Sequence, residues 1–253
     1  MPTYVITGAR DGIGLEYVAQ LSLLPATTVL ALVRSLAADL ARLRAIQASP
    51  DRKGTVHVLE CDISSPESLA ALPARVSAAL GGDPTANKID VLINNAATLQ
   101  NTEQRALSLD AAALETHMTT NVVGPARTLQ VLFPFFHDGE QQDEGRRTVV
   151  ANITSGAGSF GWVTSGVCPH ELTPYAISKA ALNMLTVHQA MQLKGRGVVV
   201  VAVDPGHVKT KSGGPGAKVE VADCAGGILK LLGGLGVEET GKLFLYDGRE
   251  IPW

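Results

Sequence analysis

Thr7-Gly8-Ala9-Arg10-Asp11-Gly12-Ile13-Gly14 follows the apolar run 4–6 and leads straight into an amphipathic segment. The glycines therefore sit where a strand hands over to a helix. A helix N-terminus presents unpaired N–H groups and partial positive charge, so it can hold an anion if the backbone is bare enough to approach. Gly8 suits the tight turn, Gly12 the close approach of a pyrophosphate, and Gly14 the packing of helix on strand. Ile13 belongs to the same cofactor-binding turn, and Arg10 adds a positive charge to it. Standing alone, such a turn is no more than a strand-to-helix connection. At the first βα junction of an alternating chain it predicts a dinucleotide site.

The alternation runs outward from this turn. Short β-branched runs over 4–7, 28–33, 56–59, 91–93, 148–153, 198–203 and 242–245 predict strands. Between them, alanine- and leucine-rich segments over 15–24, 37–47, 66–80, 109–132, 174–193 and 219–232 predict helices. Several strands are continuously apolar, as expected when helices cover both faces of a parallel sheet. The expected fold is α/β, a Rossmann-type doubly wound seven-stranded parallel sheet in a single domain over 1–253. The stretches 138–147 and 159–173 resist the pattern and read as loops, the first a solvent excursion and the second the mouth of the site.

A chain of 253 residues, 45% of them hydrophobic, can bury its own core without a disulfide or metal. The net charge of -3 argues against nucleic acid as a partner. Cys61, Cys168 and Cys224 are odd in number and lack CxxC spacing, which fits a reducing compartment and gives no metal site. The start Met1-Pro2-Thr3 leaves no room for a cleavable leader, and no stretch approaches the roughly 18 to 20 apolar residues that cross a bilayer. A cytoplasmic chain with no membrane partner is expected.

The end of the second strand selects the dinucleotide. NAD sites place a carboxylate there for the ribose 2'-hydroxyl, whereas a 2'-phosphate needs a cation. Here Val33 is followed by Arg34 and Ser35, a planar fork and a hydroxyl, with Arg10 opposite. NADPH/NADP is favoured over the alternative of Arg34 as a solvated charge. Asp11 dissents, because it either pairs with Arg10 or repels the phosphate. Asp62 either accepts the adenine amino group or caps the helix starting near Pro66. Asn94 and Ala96 close the fourth strand, where small residues either let the backbone lie against the ribose or serve a plain turn.

Tyr175 and Lys179 are four residues apart at the start of a helix, on one face one turn apart. An ammonium near a phenol favours phenolate and brings its pKa down towards the working range. Ser155 follows a strand at its carboxyl end, where open α/β sheets bind ligands, and can hydrogen-bond a carbonyl oxygen. Asn121 lies within a helix four residues before Pro125. Proline lacks an N–H, so the Asn121 carbonyl is expected to be free to hold a water that relays protons from Lys179.

Gly8-x-x-x-Gly12-x-Gly14, Asn94-Asn95-Ala96, Asn121, Ser155, Tyr175-x-x-x-Lys179 and Pro205-Gly206 together resemble the short-chain dehydrogenase/reductase superfamily over the whole chain. The wording of these segments is similar to the carbonyl-reductase branch, with its C-factor-like proteins and fungal norsolorinic-acid-type ketoreductases. The resemblance implies Tyr175 as general acid, Ser155 as carbonyl orienter, Lys179 as pKa modifier and ribose ligand, and Asn121 as relay post. It implies that Pro205, Gly206, Val208 and Thr210 border the cofactor, the last two at the nicotinamide carboxamide. Assembly as a homodimer or homotetramer through the helices of Asn121 and Tyr175 is implied in the same way. The chain departs from the family in Ala97 for a usual glycine, in the longer Ser155-to-Tyr175 gap, which carries Phe160, Trp162 and His170, and in His207 where an aromatic is common.

The activity expected is NADPH-dependent reduction of a small-molecule ketone or aldehyde. A non-redox step on a recruited reductase fold and a nonenzymatic NADP(H) sensor are the alternatives. Ala97, Phe160, Trp162 and His207 are the candidate substrate contacts, with His207 as a spectator beside the site the alternative for that residue. Phe160 and Trp162 either stack on the substrate or anchor their own loop. The glycine-rich segment 211–218 suits a lid.

Overall fold

The computed structural model describes residues 1–82, 88–137, 147–168 and 171–253. Its strands are β1 (Thr3–Thr7), β2 (Thr28–Val33), β3 (Thr55–Glu60), β4 (Val91–Asn94), β5 (Val149–Ile153), β6 (Val199–Asp204) and β7 (Leu243–Leu245). They form one sheet in the order β3-β2-β1-β4-β5-β6-β7, with every pair parallel. The doubly wound expectation is met in full. Helices α1 (Gly12–Ser22), α2 (Ala41–Ala48), α3 (Pro66–Ala79), α4 (Ala111–Met118), α5 (Gly124–Leu132), α6 (Phe160–Thr164), α7 (Thr173–Leu193) and α8 (Val221–Gly234) accompany it.

The sheet divides the core in two. Ile6, Ala31, Ile93, Ala151 and Val201 face one apolar layer with Tyr17 and Ile228, while Val5, Leu30, Leu92, Val150 and Val200 face the other with Leu72 and Leu132. Neighbours along each strand thus point to opposite, equally buried faces, which is why these runs are apolar without alternation. The strand order reverses between β1 and β4, so a crevice opens beyond their carboxyl ends, the place where such sheets bind ligands.

Two expectations need correction. The helix expected over 109–132 is two helices joined by a π turn, Thr119–Val123, in which the Gly124 N–H donates to the Thr119 carbonyl. Pro125 offers no N–H to residue 121, and the chain absorbs the defect by widening the turn. The stretch 159–173 is not all loop, because Ser159 accepts the Trp162 N–H at 3.1 Å and caps the short α6. Most of the expected excursion 138–147, and His170, lie outside the described residues.

Candidate active site

The glycine turn is shaped by what surrounds it. Gly8 has φ +68°, and a Cβ there would stand 2.9 Å from the Ala96 Cα. Gly12 has φ +53° and faces the Thr210 methyl at 3.4 Å, while a Cβ on Gly14 would lie 2.3 Å from the Gly8 carbonyl oxygen. The first two positions need a left-handed backbone and the third needs bare packing. Thr7 Oγ1 accepts the Asn95 and Ala96 N–H groups, both at 2.9 Å, and the Asn95 amide donates to the Thr7 carbonyl at 3.0 Å. Asn95 and Thr7, which stand in the sequence motifs but were not named there as site residues, thus lock the crevice walls together.

Other cofactor-side candidates fall around this turn. Asp11 caps α1 through the Gly12 N–H and pairs with Arg42 at 3.2 Å, not with Arg10. Its charge is therefore answered from α2, and Arg10 and Arg34 are both exposed. Ser35 Oγ accepts the Ala37 N–H at 3.2 Å, and Glu60 reaches the same turn to accept the Leu36 N–H at 2.9 Å. Asp62 does not cap α3, a task taken by Ser65, but accepts the Ser64 N–H and hydroxyl at 2.9 and 2.6 Å. The Asn94 side chain turns into the sheet and donates to Asn152 Oδ1 at 2.9 Å. Ala97 is exposed between Ala96 and Thr98.

Helix α7 carries a polar inner face. Lys179, Asn183, Thr186 and Gln189 are all buried, and all are bonded to β5 or the turn after it. The Lys179 ammonium donates to the Ile153 carbonyl at 2.7 Å, and Thr154 Oγ1 donates to Asn183 Oδ1 at 2.6 Å. Asn152 Nδ2 donates to Thr186 Oγ1 at 2.9 Å and Gln189 Oε1 at 3.0 Å. This ladder fixes the register of α7 on β5, and so the place of Tyr175. The Lys179 Nζ lies 5.6 Å from the Tyr175 ring centroid, and the Ser155 side chain stands near enough to the phenol to pull its pKa down. Three of the expected catalytic residues therefore meet at the carboxyl end of β5.

Burial pushes the Tyr175 phenol well above its usual range, with the Ser155 hydrogen bond opposing and Asp204 reinforcing the shift. Burial also pulls Lys179 down to about 7, with Asp204 opposing. Contrary to the sequence expectation, the phenol is not acidified, because burial outweighs the lowering by Ser155 and Asp204 adds to the rise.

The Asn121 side chain is tied into the fold as well. Fully buried, it accepts the Thr98 N–H at 2.8 Å and donates to the Thr98 carbonyl and to Ser178 Oγ, each at 3.0 Å. It ties the segment after β4 to α7 within one turn of Tyr175. On the substrate side, Trp162 packs against Ala202, Leu243, Leu245 and Ile251, as an anchor for its own segment, whereas Phe160 is 73% exposed. His207 Nε2 meets the Gly213 carbonyl at 2.7 Å, and the Lys218 and Val219 N–H groups return to the His207 carbonyl. The glycine-rich segment is thus a closed loop, with Val208 buried beneath it and Thr210 accepting the Gly213 N–H at 3.1 Å.

The family model described as short chain dehydrogenase matches residues 2–218. The chain is 30% identical, over 99% of its length and 97% of the relative's, to an uncharacterized oxidoreductase of Schizosaccharomyces pombe. It is 33% identical to the short-chain dehydrogenase/reductase AacuF of Aspergillus aculeatus, over 85% of this chain and 77% of the relative. Among solved structures it resembles NADPH-bound carbonyl reductase from chicken fatty liver, with a TM-score of 0.85 at 27% identity over 100% of this chain and 99% of that one. With the carbonyl reductase Sniffer of Drosophila melanogaster the TM-score is 0.84 at 26% identity, over 100% of both chains. The sheet order, the glycine turn and these likenesses agree: the chain belongs to the short-chain dehydrogenase/reductase family of oxidoreductases, on its carbonyl-reductase branch.

Proposed function

We propose that residues 1–253 form one NADP(H)-binding domain that reduces a small-molecule ketone or aldehyde to an alcohol, with Tyr175 as the general acid. The observation that carries this reading is the meeting of Ser155, Tyr175 and Lys179 at the carboxyl end of β5, the same end of the parallel sheet as the glycine turn. The turn fits a dinucleotide, because it brings three residues without side chains to the N-terminus of α1, where backbone N–H groups can meet a pyrophosphate. Exposed Arg10 and Arg34, with Asp11 answered by Arg42, suit the 2'-phosphate of NADPH. Gly12, Ile13, Ser35, Asp62, Asn94, Ala96, Pro205, Gly206, Val208 and Thr210 complete the cofactor side of the proposal.

When bound, the reduced nicotinamide supplies the hydride. The chain supplies position and the proton. Ser155 orients the carbonyl oxygen, and Tyr175, kept protonated by burial at neutral pH, gives its hydroxyl proton to that oxygen. Lys179, held by the Ile153 carbonyl, returns a proton to the phenol, and the Asn121 carbonyl in its π turn passes one from solvent through a water. Ala97, Phe160 and His207 line the substrate side, with Trp162 supporting them.

NADPH absorbance followed with a panel of ketones tests this. The account expects turnover to the alcohol and a fall of roughly 100-fold or more for Tyr175→Phe. Full turnover without the hydroxyl overturns it, and NADPH binding without reduction of any carbonyl favours the sensor or non-redox alternative. The exposed stripe Ile177, Met184 and Met191 on α7 supports assembly with a second copy, which light scattering of the purified chain tests. Among the described residues no helix is long and apolar enough to cross a membrane. A cytoplasmic location, checked by fractionation, completes the proposal.

A further inference from the structure

We propose that Asp204 is a positioning residue of this site, one carboxylate that binds the Ser155 turn to the Pro205–Gly206 turn and stands as the buried anion facing Lys179. The proposal deepens the carbonyl-reductase reading and rests on it for its kinetic part.

Asp204 ends β6 and is only 5% exposed. Its Oδ2 accepts the Gly156 N–H at 2.9 Å and its Oδ1 accepts the Gly206 N–H at 2.9 Å. Gly156 follows Ser155, and Gly206, at φ +74°, opens the segment that leads to Val208 and Thr210. Two backbone donors on one carboxylate thus hold the carbonyl-orienting turn and the cofactor-side turn at a fixed separation. The joint is sealed: a Cβ on Gly156 would fall 2.5 Å from Trp162 Cε3, 2.8 Å from Cys168 Sγ and 2.9 Å from Asp204 Oδ2. Gly156 is therefore required for the carboxylate to reach its partner.

The titratable groups around Asp204 come from three directions. Lys179 comes from α7 with Tyr175, its ammonium on the carbonyl of Ile153, the β5 residue paired with Val203 next to Asp204; Cys168 comes from the segment after α6, and Cys224 from α8, where its thiol donates to the Pro205 carbonyl at 3.3 Å. Among these Lys179 alone can carry a positive charge. Burial pushes the Asp204 carboxyl above its usual range, and the two N–H bonds and then Lys179 pull it back towards the charged form. In return its charge opposes the desolvation of Lys179. Neither Tyr175 nor the Cys residues can perform that service.

Asp204→Asn keeps the shape, removes the charge and leaves one acceptor for two donors. The direct readout is the titration of Lys179 in the chain without substrate, followed by NMR of lysine labelled at the carbon bearing the ammonium and assigned with Lys179→Met. The expected result is a Lys179 midpoint lower by about 0.5–1 pH unit in Asp204→Asn. An unmoved midpoint overturns the proposal. In kinetics with NADPH and the best ketone of the panel, the alkaline limb of kcat/KM shifts to lower pH by a similar amount. A uniform loss at every pH, which packing damage alone would give, overturns it too.

If Asp204→Asn does not fold, the reciprocal measurement decides. Carboxyl-carbon NMR of Lys179→Met should place the Asp204 midpoint above that of the unaltered chain, and equality of the two contradicts the coupling. A shifted Lys179 midpoint in a chain that reduces no carbonyl would sink the functional reading and leave the Asp204 assignment standing. Reduction with an unmoved midpoint would do the reverse.

Discussion

Replacing Asn121 by alanine removes a buried amide that makes three hydrogen bonds, two to the Thr98 backbone and one to Ser178. At about 1 kcal/mol net for each bond, the loss of folding stability is about 3 kcal/mol. Thr98 is only half-buried and can recover water, while Ser178 Oγ is buried and cannot, so the last bond costs more than the others. For a chain of this length, about 3 kcal/mol corresponds to a Tm lower by roughly 6–12 °C. Asn121→Asp is no rescue. It keeps an acceptor for the Thr98 N–H but turns an oxygen towards the Thr98 carbonyl and towards a hydroxyl already donating to the Tyr175 carbonyl at 2.7 Å. Equilibrium urea unfolding of both variants at neutral pH is the assay. A loss below about 1 kcal/mol in the alanine variant, or an aspartate variant as stable as the unaltered chain, refutes the clamp.

Other outcomes follow from the same geometry. Lys179 titrates near 7 in the folded chain, below its ordinary value, so from pH 7 to 9 the unfolded chain holds more protons there and stability rises with pH. Lys179→Met should abolish this rise, and urea midpoints at pH 7 and 9 that change equally in both chains contradict it. Arg34→Glu should weaken NADPH about 10- to 100-fold while sparing NADH, as fluorescence titration would read. Trp162→Ala should cost about 2 kcal/mol, below the value for a fully buried tryptophan, because it removes the anchor of α6. Phe160→Ala should leave unfolding within about 0.5 kcal/mol and alter KM for bulky ketones, and a stability loss like that of Trp162 would deny its exposure.

The sheet could be read from the sequence because strands buried on both faces are written as uninterrupted β-branched runs, and each of the seven stands within about a residue or two of its expected bounds. The glycine turn was as plain, since Gly8 and Gly12 answer the demand for a left-handed backbone and Gly14 the demand for bare packing. What stayed hidden depends on distant partners. Asp204 reads as a strand-end acid before Pro205-Gly206, and nothing local says that its two acceptors serve turns 48 residues upstream and 2 residues downstream. Asn183, Thr186 and Gln189 look like polar breaks in a helix until β5 supplies their partners. The π turn was foreshadowed by Pro125, although proline indicates only that a bond is missing and not how the backbone absorbs it. The acidity of Tyr175 was misjudged because a helix spacing reports the neighbour and not the depth of burial.

A crystal structure with NADP and an alcohol product bound would place the reacting atoms. The account predicts the Tyr175 and Ser155 hydroxyls both about 2.5–3.0 Å from the product oxygen, with the carbon that received the hydride facing the nicotinamide ring. A product oxygen bonded to neither hydroxyl, with the ring lying away from β5, would contradict it.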